Sequence, residues 1–225
     1  MDKRGIKPKG KVKINWSTDL AYAIGLIVSD GCLYNDSLHI CFTSKDMEQI
    51  ENFQKCLGIK DIKIGKTFSK DKERFGYRVQ FGDVLFFKFL VSIGITPAKS
   101  KTIGILKVPD KYFFDFLRGS FDGDGTFYSY WDKRWKSSHM FYLEFISASK
   151  EHIDWIRSKL KDKLGIFGHV TKTASGGVFQ LKYAKKESLQ VIDKMYYNPR
   201  VVCLSRKKEK INKALFIERR QQSKY

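Results

Sequence analysis

A chain of 225 residues with 42% apolar and 15% aromatic content is long enough to bury a core, as one large domain or two small ones. Its net charge of +19 is spread through the chain rather than along one amphipathic helix, which points to nucleic acid and away from a membrane surface. No apolar run approaches the roughly 20 residues that span a bilayer, no apolar h-region follows the basic start, and Cys32, Cys41, Cys56 and Cys203 lack CxxC spacing, which disfavours zinc and a disulfide scaffold and leaves an intracellular protein (prokaryotic cytoplasm or an organelle) as the expectation.

Residues 1–16 carry Lys3, Arg4, Lys7, Lys9, Lys11 and Lys13 and read as a basic arm, flexible when free. Ser17 or Thr18 suits the N-cap of a first helix, whose apolar run from Leu20 ends in Ser29-Asp30-Gly31. Leu38, Ile40 and Phe42 then alternate with His39, Cys41 and Thr43, the pattern of a half-buried strand after a turn at Asn35-Asp36. Residues 44–57 return to helical spacing with Met47, Ile50, Phe53 and Leu57 on one side, and Gly58 stops them. A second hairpin is expected at about 62–68 and 77–81 with a polar tip over 70–74, then a helix over 84–93, then a basic linker over 97–109.

Pro109 suits the first position of another helix, and Phe116–Gly125 closes with Asp122-Gly123-Asp124-Gly125. The same order of elements then returns. Phe141, Leu143 and Phe145 share a strand face, Ser149 opens a helix that Gly165 stops, and residues 175–177 turn a hairpin. A helix over 186–197 and a basic helix over 203–221 follow. Ser44 and Ser149 pair as matching helix starts in this reading, with Gly58 and Gly165 as matching stops. Gly58 to Lys99 and Gly165 to Arg206 both span 41 positions. An internal duplication of this kind is a statement about the fold. It predicts an α+β protein of two pseudo-symmetric αββαββα halves, residues 17–96 and 110–225, each with a four-stranded antiparallel sheet.

The two helix endings also match each other. Gly25 and Ser29, like Gly119 and Gly123, are small residues four apart and so lie on one helix face, where two backbones approach closely. The final glycines, Gly31 and Gly125, are expected to turn left-handed and end their helices. The pattern draws two helices side by side, each delivering one carboxylate, Asp30 or Asp124, to the same end.

Residues 23–31, AIGLIVSDG, and 117–125, LRGSFDGDG, resemble the paired motifs of the LAGLIDADG homing endonucleases, the single-chain type with two motifs. The resemblance covers about residues 17–217. It implies that Asp30 and Asp124 bind catalytic metal, with Ser29 and Gly123 beside them as further metal contacts. It implies basic residues near the scissile phosphates, for which Lys99 and Arg206 are the candidates and Lys207 a close alternative to Arg206. Asp122 occupies a slot where the first copy has Val28, so it reads as structural. Ser44 and Ser149 fall where the family often holds a water-binding polar residue, and both also suit helix N-caps.

Each sheet would pack one face on helices and turn the other to DNA, whose major groove admits β-ribbons. Candidates for that face are His39, Lys63, Arg78 and Gln80, then Glu144, Lys172, Gln180 and Lys182, with Lys66 a further DNA-binding candidate. Two carboxylates meeting at one place repel unless cations sit between them, and oxygen ligands favour Mg²⁺. The resemblance implies a monomer that hydrolyses both strands of a long asymmetric duplex of about two helical turns across its minor groove. Mn²⁺ is expected to substitute for Mg²⁺, and Ca²⁺ to bind without supporting cleavage. Two other readings use the same fold: a maturase that binds group I intron RNA, and a non-catalytic DNA-binding regulator.

Overall fold

The computed structural model describes residues 10–68, 75–135, 138–173 and 176–222. Lys3, Arg4, Lys7 and Lys9 of the arm, the hairpin tip at 70–74 and Ser175 of the later turn lie outside them. The first half runs α1 (Thr18–Asp30), β1 (Gly31–Leu33), β2 (His39–Ser44), α2 (Met47–Leu57), β3 (Gly65–Phe68), β4 (Phe75–Gly82) and α3 (Val84–Ser92). The second runs α4 (Phe113–Asp124), β5 (Thr126–Trp131), β6 (His139–Ser147), α5 (Lys150–Leu164), β7 (His169–Lys172), β8 (Phe179–Ala184) and α6 (Lys185–Met195), and α7 (Ser205–Gln222) follows it. The sheets have the matching orders β1-β2-β4-β3 and β5-β6-β8-β7, all antiparallel. This is the duplicated α+β architecture that the sequence predicts.

The helix pair α1–α4 joins the halves, and its small residues make the contact. A Cβ on Gly25 would lie 2.2 Å from the Phe116 carbonyl oxygen, and one on Gly119 would lie 2.0 Å from that of Tyr22. At the far end a Cβ on Gly123 would meet Ser29 Oγ at 1.9 Å. A polar bolt crosses the same seam: the buried Tyr22 hydroxyl donates to Asp122 Oδ2 at 2.8 Å. Ser17 caps α1, its Oγ accepting from the Leu20 amide at 3.0 Å.

The terminal glycines of the motifs depart from expectation. Gly31 (φ −86°, ψ 155°) and Gly125 (φ −68°, ψ 156°) are extended rather than left-handed. They are required for closeness instead, because a Cβ would lie 2.6 Å from Ile27 Cα in one and 2.7 Å from Phe121 Cα in the other. The chain therefore leaves each motif helix straight into a strand. The left-handed stops are Gly58 (φ 70°) and Gly165 (φ 68°), which end α2 and α5.

Strand register fixes which residues correspond. Gly31 faces Phe42 and Phe42 faces Val79, while Phe145 faces Leu181 and Thr126 faces Glu144. Phe42 thus matches Phe145, and Ser44 matches Ser147. Each of those serines accepts through Oγ from the amide two residues on, Asp46 or Ser149, at 3.1 Å. The expected pairing of Ser44 with Ser149 is therefore two residues out of step. Ser149 is the N-cap of α5, corresponding to Asp46 at α2. The source of the slip is length: α5 has 15 residues against 11 in α2, about one extra turn.

The connections cross over. The segment after α3 is not a free linker, since Ile103, Leu106 and Val108 are buried. It docks on α5 of the other half, where Ser149 Oγ donates to the Ile103 carbonyl and His152 Nδ1 donates to that of Gly104 at 3.0 Å. The segment after α6 docks on α2, where Asn52 Nδ2 donates to the Cys203 carbonyl at 3.0 Å and Glu48 accepts from the Ser205 amide. At the other end of the first half, the amides of Lys11 and Val12 donate to Asp83 Oδ2, so the basic arm is pinned from residue 11.

Burial holds the His152 pKa down to about 4, so the fold keeps the ring neutral. Its contribution to stability is complete above pH 6.5 and is lost as pH falls toward 4, because the unfolded chain binds the proton more readily in that window. Urea unfolding at pH 7 and pH 5 is expected to show His152→Gln gaining about 2 kcal/mol on wild type at the lower pH. Parallel pH profiles would show that the crossover does not hold His152 neutral.

Candidate nuclease site

Asp30 and Asp124 stand at the two helix ends, where α1 meets β1 and α4 meets β5. A Cβ placed on Gly123 would lie 3.2 Å from Asp30 Oδ2, so the first carboxylate leans across the seam onto the second motif. Burial, and then the charge of Asp124, push the Asp30 pKa up to about 6. Burial also raises that of Asp124, which is the more exposed of the two. Both carboxylates feel the positive charges of Lys99 and Lys207, which lower their pKa values in part. The four groups form one electrostatic cluster.

The two lysines hold matched positions. Lys99 is buried, and its Nζ donates to the carbonyl of Gly31 at 2.5 Å. Lys207 is also buried, and its Nζ donates to the carbonyls of Gly125 at 2.7 Å, Phe121 at 2.6 Å and Gly123 at 2.9 Å. Gly31 and Gly125 are equivalent, so Lys207 is the counterpart of Lys99. Desolvation lowers both lysine pKa values, that of Lys207 to about 8. The Lys207 ammonium also sits at a helix C-terminus, where the last carbonyls favour a cation. Arg206 turns the other way and makes a two-pronged ion pair with Asp46, at 2.7 Å from Nη2. The 41-position count lands on Arg206 because it starts from Gly165 and ignores how the crossover enters α7.

The remaining residues around the pair are already engaged in part. Ser29 Oγ donates back to the carbonyls of Gly25 and Leu26, so its hydroxyl is folded onto its own helix. The Gly123 carbonyl accepts from Lys207. Asp122 is buried and structural: it accepts from the Leu204 amide at 2.8 Å as well as from Tyr22, tying α1, α4 and the entry to α7 together. Arg118, also buried, adds a second tie, with Nη2 on Asp115 and Nε and Nη1 on the carbonyls of Val202 and Met195. Neither tie was visible in the motif comparison, since both partners of each lie about 70 residues or more from the helix except the local Asp115.

The donor set suits a hard cation. Two carboxylates whose ionised forms are disfavoured by burial, and at Asp30 also by the neighbouring charge, gain from a divalent ion between them, and the donors are all oxygen. Among the described residues no group of three or more His, Cys, Asp or Glu side chains forms a metal site. Two protein carboxylates fit Mg²⁺, which keeps waters and takes phosphate oxygens from a substrate.

No protein-family model matches the chain, and no curated protein matches it. Solved structures do. The I-LtrWI LAGLIDADG homing endonuclease bound to target DNA aligns at TM-score 0.58 and 10% identity, over 91% of each chain. The chain has the LAGLIDADG fold. I-DmoI in complex with DNA and Mn aligns at TM-score 0.53 and 15% identity, over 82% of this chain and 99% of that one. Full-length DUF199/WhiA from Thermatoga maritima aligns at TM-score 0.56 and 16% identity over 92% of this chain, which spans 63% of that protein's length.

In this LAGLIDADG fold the open faces of the two sheets are set by register. Leu33, Ile40, Phe42, Val79 and Phe81 point inward in the first half, and Phe127, Phe141, Leu143, Phe145 and Leu181 in the second. His39, Arg78 and Gln80 therefore share the open face of the first sheet, and with Lys63 and Lys11 they line one groove. His39 is paired with Asp36 at 2.5 Å, whereas Arg78 makes no ion pair among the described residues. Glu144, Gln180 and Lys182 share the open face of the second sheet, with Glu144 and Lys182 bridged at 2.8 Å. Lys172 corrects the expectation for the open face, and Lys66 shares its side. Gly65, not Lys66, faces Arg78, so Lys66 lies opposite Tyr77 on the other side of the sheet, and Lys172 opposite Phe179. Each ammonium sits over a ring instead, Phe75 at 5.7 Å and Phe179 at 5.5 Å. Tyr34, Tyr128, Tyr130 and Tyr142 are open-face residues that polar-residue reasoning passed over.

Proposed function

We propose that this chain is a site-specific, divalent-cation-dependent double-strand DNA endonuclease. The observation that carries this reading is the pair of Asp carboxylates brought to one seam, each beside a buried lysine anchored on a backbone carbonyl. Asp30 and Asp124 would hold the cation. Mg²⁺ bound there supplies an activated water and charge stabilisation for phosphodiester hydrolysis. Lys99 and Lys207 act as positioning residues, fixing the backbone from which each acid projects and adding positive charge near developing negative charge. The two sheets, in a chain of net charge +19, offer the groove-reading surfaces and the phosphate attraction. One chain supplies both acids, so a monomer suffices, and an asymmetric target with one strand cut by each acid follows from the unlike halves.

A cleavage selection tests this. Protein with Mg²⁺ meets a library of long duplexes, with Ca²⁺ and an Asp30→Asn/Asp124→Asn protein as controls. Discrete double-strand cuts that need both acids and Mg²⁺ are expected. A second reading, sequence-specific binding without cutting, uses the same fold, because a fold hosts more than one function. Specific binding with no cuts in a deep library would favour it.

The two basic candidates separate in the same assay. Lys207→Met is expected to slow cleavage about 10- to 100-fold, the scale for removing a group that orients a metal ligand. Arg206→Ala removes an exposed ion pair worth at most about 1 kcal/mol and leaves cleavage within about threefold. The reverse ranking would return the role to Arg206.

A further inference from the structure

The open faces of the two sheets differ in chemistry. In the second half, three tyrosine rings lie parallel across β5 and β6. Tyr128 and Tyr142 stack at 5.3 Å between centroids with planes 20° apart, and Tyr130 and Tyr142 at 6.3 Å and 10°. Tyr130 is 45% exposed and Tyr128 36%, so the stack is not a core. Lys182, beside it on that face, is already answered. Its Nζ bridges Glu144 at 2.8 Å and stands 5.7 Å over the Tyr128 ring and 6.0 Å over that of Tyr142.

Register gives the first-half counterparts. His39 stands where Tyr142 does, Cys41 where Glu144 does, Gln80 where Lys182 does, and Arg78 where Gln180 does. The first face thus presents a guanidinium with no ion pair among the described residues and a carboxamide, side chains that suit guanine and adenine respectively. The β5–β6 ladder also runs to Trp131 opposite His139, three residues beyond the position of Tyr34 and its partner His39. Three residues of strand are about 10 Å, or about three base pairs along a duplex.

We infer that the two sheets read the two halves of one duplex by different means. The first uses hydrogen bonds from Arg78 and Gln80, and the second uses the Tyr130–Tyr142–Tyr128 stack against thymine C5-methyl groups in the major groove. This rests on the proposal that the sheets bind duplex DNA. Thymine is the partner because its methyl is the one apolar group that a base of unmodified DNA displays in that groove. Exposed Lys133 and Arg134 at the end of the same hairpin give the patch a rim that attracts the phosphate backbone.

The test uses a duplex selected for binding to the full chain in Ca²⁺ from a random library, so that cleavage is not required. The duplex is remade with uracil at one thymine at a time, which deletes only the methyl. An Arg78→Ala protein, whose base preference relaxes on one side, marks the half read by the first sheet. Each contacted methyl is expected to be worth about fourfold in affinity. The losses should fall in the other half, and a Tyr130→Ser protein should lose sensitivity at the outermost of them. Uracil losses that are absent, or equal in both halves, while the selected duplex still binds, would overturn the aromatic readout alone. Failure to select any preferred duplex would overturn the DNA reading on which it rests.

Discussion

Replacing Asp124 or Asp30 by Asn is expected to leave a folded protein that binds its duplex and no longer cuts both strands. Loss of cleavage should reach about a thousandfold or more, equal to about 4 kcal/mol of transition-state stabilisation when a metal-held water and its charge are lost. The same substitutions should not destabilise the fold. Burial raises both carboxylate pKa values, and the charge of Asp124 adds to the rise at Asp30, so the folded state already disfavours the charged forms. An amide of the same shape removes that repulsion without opening a cavity. The expected signature is therefore a thermal midpoint at or above wild type, unchanged affinity in Ca²⁺, and no double-strand product in Mg²⁺. A fall in the midpoint together with lost binding would make the two acids helix-end structural groups and remove the main support for a nuclease.

The acids were legible because three local signals coincide in each copy: small residues four apart, an acid at the helix end, and a glycine after it. The duplication was legible because apolar periodicity changes from helical to alternating at matching points in both halves. Element bounds came out close, and the strand order follows once each hairpin is paired with the next. What was lost is what depends on single-residue register. A strand turns over with each residue, so assigning Lys172 to the open face failed by one position. A helix changes face within two residues, which is why the count put Arg206 ahead of its alternative Lys207.

Other features were not legible because they join distant segments. The crossover of residues 95–108 onto α5 and of 198–206 onto α2 includes a few hydrogen bonds between side chains and backbone groups, which leave no periodic trace. The bolt from Tyr22 to Asp122 links positions 100 apart. The terminal glycines show how a correct residue can be kept for the wrong reason. Gly31 and Gly125 were expected for their backbone freedom, and they are needed for the absence of a side chain at an ordinary φ. The tyrosine stack shows only in the register, which sets Tyr128, Tyr130 and Tyr142 on the open side.

The packing account makes its strongest demand at Gly119. Gly119→Ala is expected to destabilise the protein by about 3 kcal/mol or more, against a total of roughly 5–15 kcal/mol for a domain. Two effects oppose each other. Alanine raises intrinsic helix stability by about 1 kcal/mol over glycine. Its methyl, however, would sit 2.0 Å from the Tyr22 carbonyl oxygen and 3.1 Å from Gly25 Cα, and backbone atoms cannot yield as a flexible side chain does. The helices must separate, which breaks the Tyr22–Asp122 hydrogen bond and pulls Asp30 away from Asp124. Gly58→Ala is the contrast. Nothing lies within 4 Å of its added methyl, and the cost is only that of a left-handed alanine, about 1–2 kcal/mol. Urea unfolding of the two variants should therefore rank Gly119→Ala well below Gly58→Ala, with cleavage lost in the first and kept in the second. If Gly119→Ala instead matched wild type in both stability and cleavage, α1 and α4 would not need backbone contact, and the seam would lose its role in bringing the two carboxylates together.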